Sequence, residues 1–184
     1  CNNSFCPARA GPAMPARPTQ VQSRSCRQVR MSIWFRPTTI EQVQATFSGV
    51  RDINLHLDIR LTEIGDDFLR GSIPVDERTR QPFGLLHGGA SVVLAESLGS
   101  TASNLCLDTG KFYAVGQEIS ANHLRSARSG RVTGTARPVH LGGRSQVWDI
   151  QLQDEAGRLT CVSRLTMAVI AAPGRGMTLV GTEK

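Results

Sequence analysis

The sequence lacks the cysteine spacing that a disulfide framework or a metal site needs. Three of its five cysteines lie in the first thirty residues, and the other two, Cys106 and Cys161, lie far apart in predicted regular elements. Without close pairs, a stapled secreted fold and a zinc site are both excluded, so no metal and no other cofactor is expected. The pattern is typical of a reduced, cytoplasmic protein.

The sequence also lacks a secretory signal and a membrane span. Its longest apolar stretch, residues 88–107, contains Glu96, Asn104 and several serines. Polar and ionisable groups of this kind are costly in hydrocarbon, so we expect a buried helix here rather than a span.

Acidic residues are absent from the first thirty positions, which hold five arginines. The net charge of the whole chain is +6, but beyond residue 30 there are 16 basic and 15 acidic residues. The positive charge therefore belongs to the leading segment, and the rest of the chain shows no basic surface suited to nucleic acid.

That leading segment, residues 1–30, is rich in Pro, Ser, Gln and Arg, and we predict that it is disordered. The chain begins with Cys1, whereas Met31 is followed by a plausible start, so we interpret the segment as foreign to the fold. An arginine-rich transit peptide is the alternative. The folded domain is expected over 31–172, with a flexible tail over 173–184.

Periodicity predicts an α+β domain. Thr38 or Thr39 caps a helix to about Phe47, and strands are expected over 56–64 and 68–75, joined by a turn at 65–67. A long connection, 76–86, precedes the helix. Four more strands follow, over 114–124, 131–140, 146–153 and 159–170. Without βαβ alternation, the expected architecture is an antiparallel sheet wrapped around one helix, with subunits pairing through edge strands.

Glu96 is the only charged residue between Gly88 and Leu107. Its neighbours place apolar side chains around most of the predicted helix, so the carboxyl group is expected in an apolar setting. Such a setting raises a carboxyl pKa, and strong perturbation is commonest at functional sites. A structural glutamate at a packing seam or on a narrow exposed stripe fits this stretch equally well.

Glycines open the predicted helix, and a serine follows the glutamate by one turn. Gly88 and Gly89 would present free backbone N–H groups at the positive end of the helix dipole, where a developing oxyanion fits. Donors aimed at such an oxygen are often worth about 3 to 4 kcal/mol. Ser100 lies four residues after Glu96, and the pair could hold a water molecule. A glycine-rich helix start and a small packing residue are the structural alternatives.

The segment QPFGLLHGGASVVLAESLGS, residues 81–100, closely resembles the active-site segment of hotdog-fold acyl-CoA thioesterases. The resemblance runs from about Ile33 to Ile170 and includes 122–128 and 140–144. It is closest to the subfamily with a mid-helix catalytic glutamate, which includes one class of 4-hydroxybenzoyl-CoA thioesterase and the 1,4-dihydroxy-2-naphthoyl-CoA hydrolases of menaquinone synthesis.

The resemblance implies a role for each residue of the segment. Glu96 would be the nucleophile or general base and Ser100 the water-orienting hydroxyl. The Gly88 amide and Gln81 would polarise the thioester carbonyl, and His87 would shape that site. Ser97 and His123 would lie near the acyl pocket. The family assembles this site across a dimer interface, and its dimers pair into tetramers.

The expected substrate is an aromatic acyl-CoA. The phosphates of coenzyme A call for arginine or lysine side chains and backbone donors. Arg125 and Arg128 follow a predicted strand, and the turn at 140–144 supplies three more candidates for substrate binding, namely His140, Gly143 and Arg144. Each arginine could also be an ordinary solvated charge at a strand end.

Two other functions remain open. Hotdog dehydratases and hydratases also carry an acid on the central helix, but they pair it with a histidine aimed at the acyl chain. A non-catalytic acyl-CoA-binding regulator usually needs a DNA-binding domain, which this sequence does not contain.

Overall fold

A computed structural model describes residues 32–47 and 51–173. The elements follow in the order α1 (Ile40–Phe47), α2 (Ile53–His56), β1 (Arg60–Ile64), β2 (Leu69–Pro74), α3 (Gly88–Leu105), β3 (Phe112–His123), β4 (Arg131–Leu141), β5 (Ser145–Gln153) and β6 (Leu159–Ala171). Apart from residue 173, the predicted tails at 1–30 and 173–184 lie outside the described residues. None of the helices within the described ranges is long and apolar enough to cross a membrane.

The described strands form an antiparallel sheet in the order β1-β2-β4-β5-β6-β3. The sheet curves around α3, which contacts β2, β3, β4, β5 and β6. This is the predicted α+β arrangement, a hotdog fold, and the four strands after α3 lie within two residues of their predicted limits.

Helix α1 begins at the predicted cap. The Thr39 hydroxyl accepts a hydrogen bond from the Gln42 backbone N–H at 3.4 Å, and Gln42 Oε1 accepts one from the Thr39 N–H at 2.9 Å. This reciprocal pair is a capping box, which satisfies two donors that the helix leaves free. Gln44 Nε2 donates to the Leu61 carbonyl at 2.6 Å, so the helix is tied to β1.

The predicted strand over 56–64 is wrong at its beginning. His56 ends the short helix α2, and the strand begins only at Arg60. The Asp52 side chain accepts from the Leu55 N–H at 3.0 Å and caps this helical turn, and Asp58, with a φ of 50°, then redirects the chain. Local side-chain capping therefore overrides the alternating pattern here.

The close approach of α3 to the sheet depends on two glycines. Gly71 on β2 and Gly134 on β4 are paired across the sheet, and Leu98 packs against both. A Cβ atom at Gly71 would lie 2.9 Å from one Leu98 methyl group, and a Cβ atom at Gly134 would lie 2.7 Å from the other. The two positions form a notch that only glycine leaves open, and Leu98 is fully buried in it.

Helix α3 is less buried than its sequence predicts. One face packs on the sheet through Ala90, Ser91, Leu94, Ala95, Leu98, Gly99, Ala102 and Ser103. The other face is half-buried and forms an open stripe of Val92, Val93, Glu96, Ser97, Ser100, Thr101 and Asn104. Glu96 therefore lies on the half-buried face of the helix, beside the edge of the sheet, rather than inside an apolar core.

The two edge strands flank this open stripe. β1 is short, whereas β3 has 12 residues and exposes Phe112 and Val115. A bulge interrupts the pairing of β3 with β6 between Gly116 and Glu118. Long edges invite pairing with another chain, so the expected subunit contact through an edge strand stays a prediction.

Candidate active site

The loop before α3 is fixed to the sheet by a buried threonine. Thr79 Oγ1 donates to the Pro74 carbonyl at 2.7 Å, and the Thr79 carbonyl accepts from the His87 N–H at 2.8 Å. The Leu86 N–H donates to the Ala127 carbonyl at 2.9 Å. These bonds hold both ends of the loop, so the residues between them have defined positions.

Gln81 is oriented as a hydrogen-bond donor. The Phe83 backbone N–H donates to Gln81 Oε1 at 2.5 Å. Because a peptide N–H can only donate, the carboxamide oxygen is the end that it contacts, and the NH₂ group of Gln81 is left for another acceptor. Gln81 borders a cleft, so this NH₂ group is available to a ligand carbonyl.

His87 is the N-cap of α3. Its Nδ1 accepts a hydrogen bond from the Gly89 N–H at 2.8 Å. Because Nδ1 is the acceptor in this bond, the N–H of the ring is on Nε2. His87 thereby satisfies one of the free donors of the first helical turn.

Gly88 presents its amide at the start of the helix. Within the described ranges, its N–H donates to no acceptor of the chain. A Cβ atom at this position would lie 2.9 Å from Nε2 of His123, so the end of β3 lies directly over the glycine. A free N–H at the positive end of the helix dipole suits a carbonyl oxygen that gains negative charge.

These residues line a common cleft of about 330 Å³. Its polar lining comes from the loop, the helix start and the end of β3, and includes Gln81, Gly88, Ser91, His123, Arg125 and Ser126. Of the predicted site residues, the structure therefore brings together Gln81, Gly88, His123 and Arg125. Their donors suit a carbonyl and an anionic group, since all but His123 can only donate through the groups they offer.

Glu96 lies elsewhere, on the open stripe of α3 against β3. A Cβ atom at Gly116 would lie 2.3 Å from Glu96 Oε1, so the carboxylate rests on the strand backbone. Burial raises the pKa of the Glu96 carboxyl group. Within the described part of the chain, no hydrogen bond or charged partner offsets this effect.

Ser100 follows Glu96 by one turn on the same stripe. Its hydroxyl forms no hydrogen bond with another described residue, and its carbonyl accepts from Asn104 Nδ2 at 2.9 Å. A carboxylate and a hydroxyl at i and i+4 face the same space, which is the arrangement that orients a water molecule.

One chain does not bring the two groups together. Gly88 and Glu96 are eight residues apart on α3, or about 12 Å along the helix axis. A carbonyl in contact with the Gly88 amide is therefore out of reach of the Glu96 of the same chain. Within one chain, the Gly88 amide and the Glu96 carboxylate therefore cannot contact the same carbonyl group.

Ser97 lines a second cleft of about 380 Å³, between α3, α2 and β1. Its hydroxyl donates to Asn54 Oδ1 at 2.6 Å, and Asn54 Nδ2 donates to Asp52 Oδ2 at 3.1 Å. Leu55, Ile59, Leu61 and Thr101 also border the cleft. Sequence reasoning missed Asn54 and Thr101. Thr101 is four residues from Ser97 and could have been found by helical spacing, but no pattern indicates Asn54.

The predicted coenzyme A residues lie at opposite ends of the sheet. Arg125 and Arg128 follow the end of β3, where His123 pairs with Cys161 of β6. The turn at 142–144 precedes Ser145, which pairs with Ala168 at the other end of β6. Seven residues of extended strand separate these positions by about 23 Å, so one chain cannot gather all three arginines around one phosphate.

The contacts of these residues differ. Arg125 Nη1 donates to the Leu159 carbonyl at 3.0 Å, which leaves part of its guanidinium group for a ligand. Arg128 and Arg144 are exposed, and within the described ranges their side chains have no ion-pair partner. His140 packs against Gly142, where a Cβ atom would lie 2.5 Å from its Nε2, and Gly143 is open to solvent.

The described residues contain neither a cluster of metal ligands nor a reactive thiol. Among residues 32–47 and 51–173, no three His, Cys, Asp or Glu side chains are gathered around a possible metal position. Cys106 and Cys161 are free, and burial raises the pKa of Cys106 to about 12. A thiol with so high a pKa is not a nucleophile at neutral pH.

Comparison with known proteins agrees with this geometry. Residues 83–161 match the family model described as "Thioesterase superfamily". The chain is 57% identical over 138 residues to 1,4-dihydroxy-2-naphthoyl-CoA hydrolase of Escherichia coli K12, covering 75% of this chain and 99% of that protein. The chain belongs to the thioesterase superfamily. This thioesterase is a hydrolase of thioester bonds.

Two further relatives support the assignment. A crystal structure of a mutant of thioesterase PA1618 from Pseudomonas aeruginosa superimposes on this thioesterase with a TM-score of 0.74 and 53% identity, covering 77% of this chain and 100% of that one. Proofreading thioesterase EntH of Cronobacter turicensis is 51% identical over 138 residues, covering 75% of this chain and 98% of that protein.

Proposed function

We propose that this thioesterase hydrolyses an aromatic acyl-CoA to the free acid and coenzyme A, with Glu96 as nucleophile or general base. The observation that carries the proposal is the carboxylate on the open stripe of α3. Burial raises the pKa of Glu96, Ser100 stands one turn away, and the described chain supplies no counter-ion. Carboxyl groups perturbed in this way are commonest at functional sites, which supports a catalytic role for Glu96.

The chemistry needs an ionised carboxylate by either of two routes. As a base, Glu96 removes a proton from water held with Ser100, the water oxygen attacks the thioester carbonyl carbon, and the C–S bond then breaks. As a nucleophile, Glu96 attacks that carbon and expels the thiolate, and water hydrolyses the resulting anhydride. In both routes the carbonyl oxygen becomes negative in the transition state, and the Gly88 N–H and the Gln81 NH₂ group stabilise it.

The site is proposed to form between two chains. The separation of Gly88 from Glu96 along α3 leaves each half without its partner in one chain. Antiparallel pairing of two β3 edges over the residues after Ala114 would place the end of one β3, with its His123 cleft, beside Gly116 and Glu96 of the other. A homodimer therefore completes two equivalent sites, and dimers would pair further into tetramers.

The cleft at Ser97 is the proposed place for the acyl group. Leu55, Ile59 and Leu61 give it apolar walls, and Asn54 and Thr101 supply polar groups among them. Apolar walls with a few fixed polar groups suit an aromatic ring that bears hydroxyl groups. The relative named as a 1,4-dihydroxy-2-naphthoyl-CoA hydrolase has such a ring in its substrate name.

The phosphates of coenzyme A are proposed to lie at the rim of the His123 cleft. Arg125 lines this cleft and Arg128 follows it in the chain, and the turn with His140, Gly143 and Arg144 would reach the same rim only from a second chain. Arginine guanidinium groups bind phosphate through paired hydrogen bonds. We therefore expect both chains to bind the coenzyme A part of the substrate.

The test is thiol release from a panel of thioesters. We expect the highest kcat/KM with 1,4-dihydroxy-2-naphthoyl-CoA and 4-hydroxybenzoyl-CoA, a lower value with benzoyl-CoA, and the lowest with hexanoyl-CoA and lauroyl-CoA. The same aromatic acyl group attached to a carrier protein instead of coenzyme A is the matched arm for the thiol side of the substrate. A preference for aliphatic chains contradicts the aromatic assignment, and hydration of an enoyl-CoA without thiol release indicates the hydratase alternative.

The pH dependence of hydrolysis should report the raised pKa of Glu96. A protonated carboxyl group neither attacks nor accepts a proton, so kcat/KM should rise with pH through that pKa. The midpoint should lie above the value of about 4.3 for an exposed glutamate. The loss of activity at low pH should also occur in His123→Gln, so that it cannot be attributed to the imidazole. Activity undiminished down to pH 4 would contradict the assignment of the pKa to Glu96.

A further inference from the structure

Asn104 connects the helix that carries Glu96 to the edge strand β3. Its Oδ1 accepts a hydrogen bond from the Ala114 N–H at 2.9 Å, and its Nδ2 donates to the Ala114 carbonyl at 3.1 Å. The same Nδ2 donates to the Ser100 carbonyl, one turn back on α3, at 2.9 Å. One carboxamide therefore binds the backbones of both elements.

The pairing with Ala114 takes the place of a neighbouring strand. On an edge strand, the N–H and C=O groups of alternate residues point away from the sheet and have no partner. The Asn104 carboxamide binds both outward groups of Ala114, because it offers one donor and one acceptor as a backbone peptide group does. The bond pair fixes the distance between α3 and β3 at this point, because a carboxamide bound at both ends allows little movement.

Gly116 lies two residues further along β3, so it faces the same side of the strand as Ala114. The Glu96 carboxylate rests there, since a Cβ atom at Gly116 would lie 2.3 Å from Glu96 Oε1. The bulge of β3 begins at the same residue. The strand thus touches α3 at two points, a hydrogen-bonded one at Asn104 and a packed one at Glu96.

We propose that Asn104 is a positioning residue for Glu96, which sets the spacing between α3 and β3 so that the carboxylate is seated on Gly116. The inference rests on the proposed role of Glu96 in hydrolysis. Asn104 touches neither of the two clefts, so it acts through the helix and the strand rather than on the substrate. Glycine at position 116 completes the seat, because any side chain there displaces the carboxylate.

The first variant is Asn104→Ala in the full chain, assayed on the best thioester of the panel. A carboxylate displaced by about 1 Å loses roughly a hundredfold in rate, so we expect kcat to fall roughly ten- to a hundredfold. KM should stay within about threefold, because the clefts keep their lining. Gln151→Ala is the matched control, since it removes an exposed carboxamide that bonds only to Asp149 among the described residues, and it should leave kcat unchanged.

The second variant is Gly116→Ala, which keeps all three bonds of Asn104. The three atoms nearest to the added methyl group all belong to the flexible end of Glu96, so the carboxylate should move and the fold should not. We expect a kcat loss of similar size with the melting temperature of the parent. Gly110→Ala is its control, because a Cβ atom there lies 3.4 Å from Asp108 Oδ1, an ordinary contact.

The outcomes separate the two proposals. A folded Asn104→Ala protein with kcat within about threefold of the parent overturns the positioning role, as does a rise in KM that matches the fall in kcat. If Asn104→Ala does not fold, Gly116→Ala is the remaining test. An unimpaired kcat in that variant overturns the proposal that catalysis needs the carboxylate placed on Gly116. If Glu96→Gln is fully active, the catalytic role of Glu96 fails instead, whatever the other variants do.

Discussion

Glu96→Gln should lower kcat for thioester hydrolysis roughly a thousandfold or more. The amide cannot accept a proton from water and is not a nucleophile, so both proposed routes stop. KM should change little, because Gln has the same shape and the clefts keep their lining. The measurement is thiol release by the parent and the variant on the best aromatic acyl-CoA, at equal concentrations of folded oligomer.

A second glutamate supplies the control for this loss. Glu77 is exposed in the loop between β2 and α3, outside both clefts. Glu77→Gln removes one negative charge from the same chain and should leave kcat within about twofold, as is usual for exposed substitutions. A Glu96→Gln protein that keeps more than about a tenth of the parent kcat would falsify the proposed chemistry.

Mixed oligomers of two damaged chains should recover activity. Glu96→Gln lacks the carboxylate, and Gln81→Ala lacks a donor that is worth roughly a hundredfold or more in kcat. If the site spans two chains, a mixed dimer contains one site with both lesions and one site with neither. Random pairing makes about half of the dimers mixed, so the mixture should reach about a quarter of the parent activity.

The control mixture combines Glu96→Gln with the double variant Glu96→Gln, Gln81→Ala. No pairing of these chains makes an intact site, so no recovery is expected. The measurement is kcat of the co-expressed mixture, with two affinity tags used to show that mixed oligomers are present. Recovery in neither mixture, with mixed oligomers present, would show that each chain carries its own complete site and would contradict the separation of Gly88 from Glu96.

The fold was predictable where a pattern extends over many residues. Helix α3 and the strands from β3 to β6 show long, regular periodicity, and the structure confirms them. Helix α2 was not predictable in this way, because four residues capped by Asp52 are too few to form a pattern. The exposed stripe of α3 also escaped prediction, since valine, alanine and serine fit a covered face as well as an open one.

Sequence spacing identifies candidate residues for the site but does not predict its shape. The spacing of Gly88, Glu96 and Ser100 along one helix identifies candidates, and the structure adds that the first two face different spaces. The Ser97 cleft depends on Asn54, which lies 43 positions earlier in the chain. Contacts over such distances arise from packing, and a single sequence carries no local signal for them.

The notch formed by Gly71 and Gly134 has a consequence for the chemistry on the far side of α3. Leu98 fits it in one orientation, so the notch sets the angle at which the helix is turned about its own axis. The same rotation sets the directions in which Glu96 and Ser100 point, since they lie two residues before and after Leu98. A methyl group added at either glycine would rotate the helix or lift it, and the carboxylate would swing away from Gly116. Two backbone positions with no polar side chain thus set the orientation of the proposed catalytic carboxylate, which they do not contact.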